Sequence, residues 1–416
     1  MKTASSLLGM ILDLGKEMLV SGAEVWRVEE ILHDICEAYC FKQADLWIIS
    51  SCLHATVTTW DGRMYTQIRS VDGRKYDLDK LDSLYSLAHD ICEKPTGINS
   101  VRERLDEIMG RPGIPPRISL LAMILAAAGF TVFFSGGITD ALVAAMIATV
   151  IYYMGKKLRR NVPNLLAYNA MASFALEAIA LTVFAGAIAD NTAAITTAGI
   201  FLLISGLGIT NGIGDFLHGN TLSGLSETSN ALLGAGGIAI GISLAMFIYN
   251  VFRPGQIDLA TVGYASHPAL QIIMCTIGCA GFALMFGARK KALIFSAIGA
   301  ALTEAVSLAA SGFLGADYFV ATLAGAVFVA FYADMVNIFT KIPAAIFQIA
   351  CVFPLLPGSN LYFTVLGAVT KNRELFFSQG RKMILIALGI ALGYIIIDVI
   401  LKFVRIFLYK WFGIRR

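Results

Sequence analysis

The chain has 416 residues, 57% of them hydrophobic and only 15% charged, with a formal net charge of +3. A mean hydropathy of +0.72 excludes an ordinary soluble protein and points to a polytopic helical membrane protein. With so small a net charge, and no basic stripe interleaved with aromatic residues, nucleic acid is excluded as a partner.

Residues 1–116 are the polar part. Leu7, Ile11, Leu14 and Met18 recur at helical spacing, as do Val28, Leu32, Ile35 and Tyr39 in the next segment, with Ser21-Gly22 as a break between them. Residues 45–51, 55–60 and 64–70 are rich in β-branched and aromatic types and read as strands. Asp61-Gly62 supplies a hairpin turn between the last two. Two helices follow, over 78–93 and 98–109. These elements predict a small α+β domain with one core, closed by the linker Arg111-Pro112-Gly113-Ile114-Pro115-Pro116. Its early apolar run is interrupted by Asp13, Lys16 and Glu17, so it is no secretory leader, and the domain is expected in the cytoplasm. Glu24, Arg27, Glu29 and Glu30 form a charged helix face, read as solvated surface, with a docking or regulatory face as the alternative.

From Ile118 onward hydrophobic segments follow one another at 118–137, 139–157, 163–188, 192–211, 227–251, 268–288, 291–311, 318–339, 343–370 and 382–407. Most approach the roughly 20 residues that a spanning helix needs. This predicts ten transmembrane helices in two modules of five, residues 117–252 and 253–416. The basic clusters Lys156/Lys157/Arg159/Arg160, Arg289/Lys290/Lys291 and Lys410/Arg415/Arg416 fall on one side, which sets both termini in the cytoplasm. Lys371, Arg373, Arg381 and Lys382 oppose that rule: either their loop is an exception or the ninth segment is re-entrant.

That ninth segment is interrupted. Residues 346–360 run from an apolar helix into Pro354, Pro357 and Gly358 while still inside hydrophobic sequence. Freed backbone groups at membrane depth are tolerated only where they are buried in protein or line a cavity, and such breaks mark transport sites. Residues 200–214 echo the pattern, with a break expected near 206–214. Ala128-Gly129-Phe130 also lines up with Ala280-Gly281-Phe282, and residues 237–241 with 389–393. Five helices per repeat is an odd number, so the two halves are expected to be inverted, a secondary-transporter design.

Polar groups inside membrane segments are costly and default to functional candidates. Asn211, Asp215, Glu227 and Asn230 surround the first expected break, and Pro354, Pro357, Gly358, Ser359 and Asn360 the second; together they are the expected substrate-binding residues. A zwitterion would place its carboxylate at a half-helix N-terminus and its ammonium near Asp215 or Glu227. The bland readings are a solvated loop at the first site and a kinked structural helix at the second. Glu177, Glu304 and Asp334 lie within helices and are candidates for carrying protons; packing ion pairs are the alternative. Seven cysteines fit no CxxC or Cys/His zinc pattern and read as free thiols. With no HExxH, GxSxG or Walker signature either, no metal, cofactor or enzymatic activity is expected.

At these residues the chain resembles the threonine/serine exporter family. Gly22-Ala23-Glu24-Val25-Trp26-Arg27-Val28-Glu29 resembles its N-terminal GAExxRVE signature, and Thr66-Gln67-Ile68-Arg69 and Asp77-Leu78-Asp79-Lys80-Leu81 its soluble region. Gly136-Gly137 with Asp140, then Gly214-Asp215 with Gly219 and Ser223-Gly224, are similar to its first membrane module. Phe353-Pro354-Leu355-Leu356-Pro357-Gly358 is similar to the P-L-x-P-G signature of its second. An Ala-Arg before a proline in that module is replaced here by Thr340-Lys341-Ile342-Pro343. The resemblance implies a cytoplasmic domain followed by ten helices, and proton-driven export of small hydroxy amino acids. The expected partners are that substrate, protons and the lipid bilayer of the plasma membrane; a homo-oligomer is compatible with the reading. Two alternatives stand beside it: export of a succinate-like dicarboxylate, and a membrane-anchored sensor or enzyme acting through residues 1–116.

Overall fold

The computed structural model describes residues 2–73, 75–159, 161–162, 164–204, 206–253, 264–265, 267–288, 290–315 and 317–412. Arg160, Arg289, Arg415 and Arg416 of the basic clusters lie outside the described residues. The chain divides into two compact units. One holds Met1–Pro115 together with Gly214–Glu227 and Phe286–Lys290; the other holds the remainder.

The first unit begins with α1 (Lys2–Val20) and α2 (Val25–Ala38), joined by a turn at Ser21 and Gly22. Gly22 adopts φ +106°, and a Cβ there would stand 2.5 Å from the Tyr76 ring, so both backbone and space require glycine. An antiparallel sheet follows in the order β1 (Gln43–Ile49), β2 (Cys52–Thr58), β3 (Met64–Ser70), with Ala55 facing Leu46 and Gln67. The strand alternation sends Leu53, Ala55 and Val57 of β2 into the core. α1 packs on this face and against α2, α3 (Leu78–Glu93) and α4 (Ile98–Gly110). Because neighbours surround it, Leu8, Met10, Ile11, Leu12, Leu14, Met18 and Leu19 are all fully buried, a wider apolar surface than the single stripe expected. An Arg69–Asp13 ion pair of 2.6 Å and a Gln67 Nε2 bond to Ser5 O fix β3 on α1.

The second unit is helical. Its helices are α5 (Pro116–Phe133), α6 (Ile138–Leu158), α7 (Leu165–Ala185), α8 (Thr192–Leu203), α9 (Gly206–Leu217) and α10 (Thr221–Phe252). After them come α11 (Pro268–Met285), α12 (Lys290–Leu314), α13 (Tyr318–Thr340), α14 (Ala344–Cys351), α15 (Gly358–Val369) and α16 (Arg373–Phe412), the last turn of α9 and the first residues of α10 and α12 belonging to the first unit. Among the described residues eight helices are long and apolar enough to cross a membrane, or up to ten if each bent pair is one span. The α8/α9 pair bends by 55° and the α14/α15 pair by 54°. At 1.5 Å per residue the 40-residue α16 is about 60 Å long, well beyond a bilayer core of about 30 Å. It starts nine residues before the expected segment, so Arg373, Arg381 and Lys382 belong to its first turns rather than to a loop.

Glycines set the helix crossings. A Cβ on Gly129 of α5 would stand 2.7 Å from Gly278 N and 2.9 Å from Met274 O of α11. One on Gly281 of α11 would stand 2.5 Å from Ala126 N and 2.7 Å from Ala122 O. These contacts are reciprocal, and α5 and α11 run antiparallel. On α10, Gly237 meets Leu166 O and Gly241 meets Ala170 O, so α7 and α10 run parallel. On α16, Gly389 meets Phe319 O and Gly393 meets Val327 N, so α13 and α16 are parallel too, with Lys382 Nζ 4.7 Å from the Tyr318 ring. Two parallel helices need a return between them. Between the members of each parallel pair the chain passes through one bent pair, α8/α9 or α14/α15.

Candidate functional site

The bends have different local causes. In the second pair, α14 ends at Cys351 and a 3-10 turn, Phe353–Leu355, carries Pro354 before Pro357 opens α15. Prolines lack the amide that would continue the helix. In the first pair no proline is present. Ile204 is extended at φ −83° and ψ 141° and caps α8, while 206–217 is helical. The expected break at 206–214 is therefore displaced toward the N-terminus: glycines in that window are accommodated within α9.

Both leading half-helices are enclosed on all sides, with eight consecutive buried residues in each, 194–201 and 344–351. Their last carbonyls have no partner within the helix. The pairs meet at Gly358, where an added Cβ would lie 3.3 Å from Ile204 Cγ2 and 3.4 Å from the Phe201 ring. Around this point Ile200, Ile238, Ile242, Tyr362 and Leu366 form one apolar cluster. A line of rings joins the two bends: Phe201 stacks on Phe130 at 5.1 Å, Phe130 meets Phe282 edge-on at 5.7 Å, and Phe282 stacks on Phe353 at 4.5 Å. Gly281, Phe282 and Phe353 follow Gly129, Phe130 and Phe201 at one constant separation in the sequence.

α7 presents Asn169, Ser173 and Glu177 at four-residue spacing, one face of the helix. Asn169 Nδ2 donates to Gly234 O and Ser173 Oγ to Ile238 O, both at 3.1 Å, which locks α7 onto the glycine-bearing face of α10. Glu177 is 1% exposed and continues this stripe. Its Oε2 accepts a 2.6 Å bond from Thr196 Oγ1 on α8, two turns before the bend, and Tyr362 of α15 lies within its electrostatic reach. One carboxyl is thus bonded to an element of the first bent pair and within electrostatic reach of one in the second.

The other expected residues are more dispersed. Of the second-bend group, Pro357 and Gly358 are buried, and Pro354, Ser359 and Asn360 half-buried. Asn360 Nδ2 donates to Gln379 Oε1 at 2.8 Å, tying α15 to α16. Asn211 and Asp215 stand on α9 beyond the first bend, Asp215 buried and Asn211 half-buried; Glu227 is half-buried and Asn230 exposed on α10. Glu304 of α12 is buried near Cys275 of α11 and Tyr264, a different neighbourhood from that of Glu177. Asp334 is half-buried on α13.

Thr196 and Tyr362 were not legible as site residues. Each is one polar group in an apolar run, and only the packing of α7, α8 and α15 reveals which face it serves. Asp140, quoted above only for its likeness to a family motif, proves to be a backbone staple. It accepts from Gly137 N, Asp190 N and Asn191 N at 2.8, 2.9 and 3.2 Å, joining the turns that precede α6 and α8.

Comparison with known proteins fits these elements. The family described as "Putative threonine/serine exporter" matches residues 9–249, and a second, "Threonine/Serine exporter, ThrE", matches 271–400. A "Probable threonine/serine exporter" of Mycobacterium tuberculosis is 26% identical over 86% of this chain and 69% of its own length. A "Threonine/serine exporter" of Corynebacterium glutamicum is 24% identical over 77% of this chain and 66% of its own. A "Probable succinate transporter subunit YjjP" of Klebsiella aerogenes is 24% identical over 56% of this chain and 90% of its own. No solved structure matches the chain. The family is one of exporters rather than enzymes. Matched over more than half its length by the first of these families and over most of the remainder by the second, the chain belongs to the threonine/serine exporter family.

Proposed function

We propose that the protein is a secondary exporter of threonine and serine, seated in the plasma membrane of a prokaryotic cell and driven by the proton gradient. The observation that carries this reading is the meeting of two bent helix pairs at Gly358, in a chain of this family. Ten crossings are arranged as two inverted modules of five, 117–252 and 253–416. The antiparallel α5/α11 seam with its reciprocal glycines supports the inversion. The parallel α7/α10 and α13/α16 pairs support counting each bent pair as one crossing. Residues 1–116 form an α+β domain on the cytoplasmic side, where both termini lie. The basic residues at 371–382 are then an exception to the positive-inside rule.

In this reading substrate binds where the bends meet. The half-helix C-termini turn the negative ends of their dipoles toward the α-ammonium, and the N-terminus of α15, with Ser359 and Asn360, presents donors to the carboxylate. Pro354 and Pro357 keep this backbone from closing into a continuous helix. Asn211, Asp215, Glu227 and Asn230 stand past the first bend and are secondary candidates. Glu177 is the leading proton carrier. Ionised, its carboxylate accepts from Thr196; protonated, it holds a donor of its own, so a change of charge alters the bond to α8. Glu304 and Asp334 are the reserve candidates.

The test is uptake of labelled threonine, serine and succinate by inside-out vesicles with an acid interior. Accumulation of threonine and serine that collapses with the gradient supports the reading. Accumulation of none of the three sinks it. Succinate alone would select the dicarboxylate reading, which the Klebsiella aerogenes relative favours.

A further inference from the structure

The GAExxRVE-like segment does more than close the α1/α2 turn. Trp26 of α2 lies flat on His218, ring centroids 4.6 Å apart and planes 1° from parallel. The Arg27 guanidinium sits 4.6 Å from the same indole and is held by Glu24 at 3.1 Å. His218 is in turn anchored, its Nδ1 2.9 Å from Gly214 O. A second contact is built on the neighbouring turn. Tyr76 packs against Phe286 at 5.0 Å, and Leu78 N donates to Phe286 O at 2.7 Å. Gly287, at φ +86°, passes close to Asp77. Gly22 gives up its Cβ so that the Tyr76 ring can lie there.

The two gripped segments come from different parts of the chain. Gly214–Glu227 contains the last turn of α9, the trailing half of the first bent pair, and the start of α10. Phe286–Lys290 joins α11 to α12. Both belong to the same compact unit as residues 1–115. The end of α9 is thereby stacked against the α+β core, and the α11–α12 connection is hydrogen-bonded to the same core.

We propose that the N-terminal domain is a mechanical coupler: Trp26 on His218 and Tyr76/Leu78 on Phe286 tie the end of α9 to the α11–α12 connection, and the grip is needed for turnover. The inference rests on the exporter reading for its transport arm only. The grip itself is read by amide exchange, so failure of the coupler and failure of the exporter reading give different results.

The experiment uses the full chain in lipid nanodiscs and in vesicles. Trp26→Ala and His218→Ala are compared with His218→Phe, which keeps a flat ring. His218 is exposed, so its variants leave the α+β core intact even if Trp26→Ala does not fold. The stack contributes an equilibrium factor of about two- to twelve-fold, the range of aromatic pairs. The alanine variants should speed hydrogen exchange across 214–227 by that factor and slow threonine or serine efflux in parallel, with His218→Phe near wild type in both. Unchanged exchange in His218→Ala overturns the grip. Faster exchange with unaltered transport overturns the coupling and leaves a merely structural contact.

Discussion

The seam between α5 and α11 yields a prediction whose size follows from the contacts. Ordinary van der Waals contact for a Cβ is 3.4–4 Å, yet a Cβ on Gly281 would stand 2.5 Å from Ala126 N, and one on Gly129 2.7 Å from Gly278 N. The atoms met are backbone, so no rotamer change relieves the clash, and alanine must push the helices apart by roughly 1 Å. A gap of that size forfeits about a quarter to a half of the dispersion well along the seam, and overpacking of this kind costs about 1–3 kcal/mol. Alanine gains about 1 kcal/mol in helix propensity, so the net cost is up to about 2 kcal/mol for each variant. Because both substitutions open one seam, Gly129→Ala/Gly281→Ala should cost less than the sum of the singles. Gly236→Ala, with nothing within 4 Å, is the control and should be neutral or stabilising by about 0.5 kcal/mol. Denaturant unfolding of the full chain in mixed micelles measures all four. Two alanine variants as stable as wild type would refute the close seam. A cost at one glycine and not the other would refute its two-fold character.

Two further predictions concern protons. Glu177→Gln keeps a side chain that accepts from Thr196 but cannot exchange a proton. It should retain threonine counterflow while losing the roughly tenfold accumulation that one exchanged proton supports per pH unit. Undiminished gradient-driven uptake in this variant would remove Glu177 from the coupling role. In the N-terminal domain, burial, and secondarily the nearby Asp79 charge, push the Asp82 carboxyl from 3.8 up to about 6. The folded state then binds this proton more tightly than the unfolded one, so stability is lost as pH rises from about 4 through 6. Allowing for its partial exposure, the penalty at pH 7 is about 1 kcal/mol. Asp82→Asn should recover that amount at pH 7 and nothing at pH 4, read by urea unfolding followed through Trp26, Trp47 and Trp60. Equal effects at both pH values would contradict it.

Much of the architecture was legible because bilayer physics leaves few options. A chain this apolar must satisfy its backbone within helices, and Pro354, Pro357 and Gly358 announce an interruption that no packing can hide. The constant separation of Gly129/Gly281 and Phe130/Phe282 was legible for a related reason: close helix crossings admit only glycine. What escaped was what neighbours decide. Ile204 ends α8 without a proline, so the sequence drew attention to the glycines of 206–214, which α9 absorbs. Ser50-Ser51 turn β1 into β2 without the glycine or asparagine that signals a tight hairpin. Trp26 and His218 are far apart in sequence, and nothing local relates them; the charged face beside Trp26 read as solvated surface. Glu177 stood out as a buried acid, but its link to both bends depends on Thr196 and Tyr362, which resemble any other polar residue in an apolar helix.

The central claim is that one substrate occupies the junction of the two bends. It is tested most directly by thiol protection. In a chain whose seven native cysteines are replaced, single cysteines are placed at Ile204 and at Ser359, one on each bent pair, and labelled with a small maleimide during a titration with threonine. The account predicts that threonine protects both positions with the same half-saturating concentration. Protection of neither position, in variants that still export threonine, would contradict it.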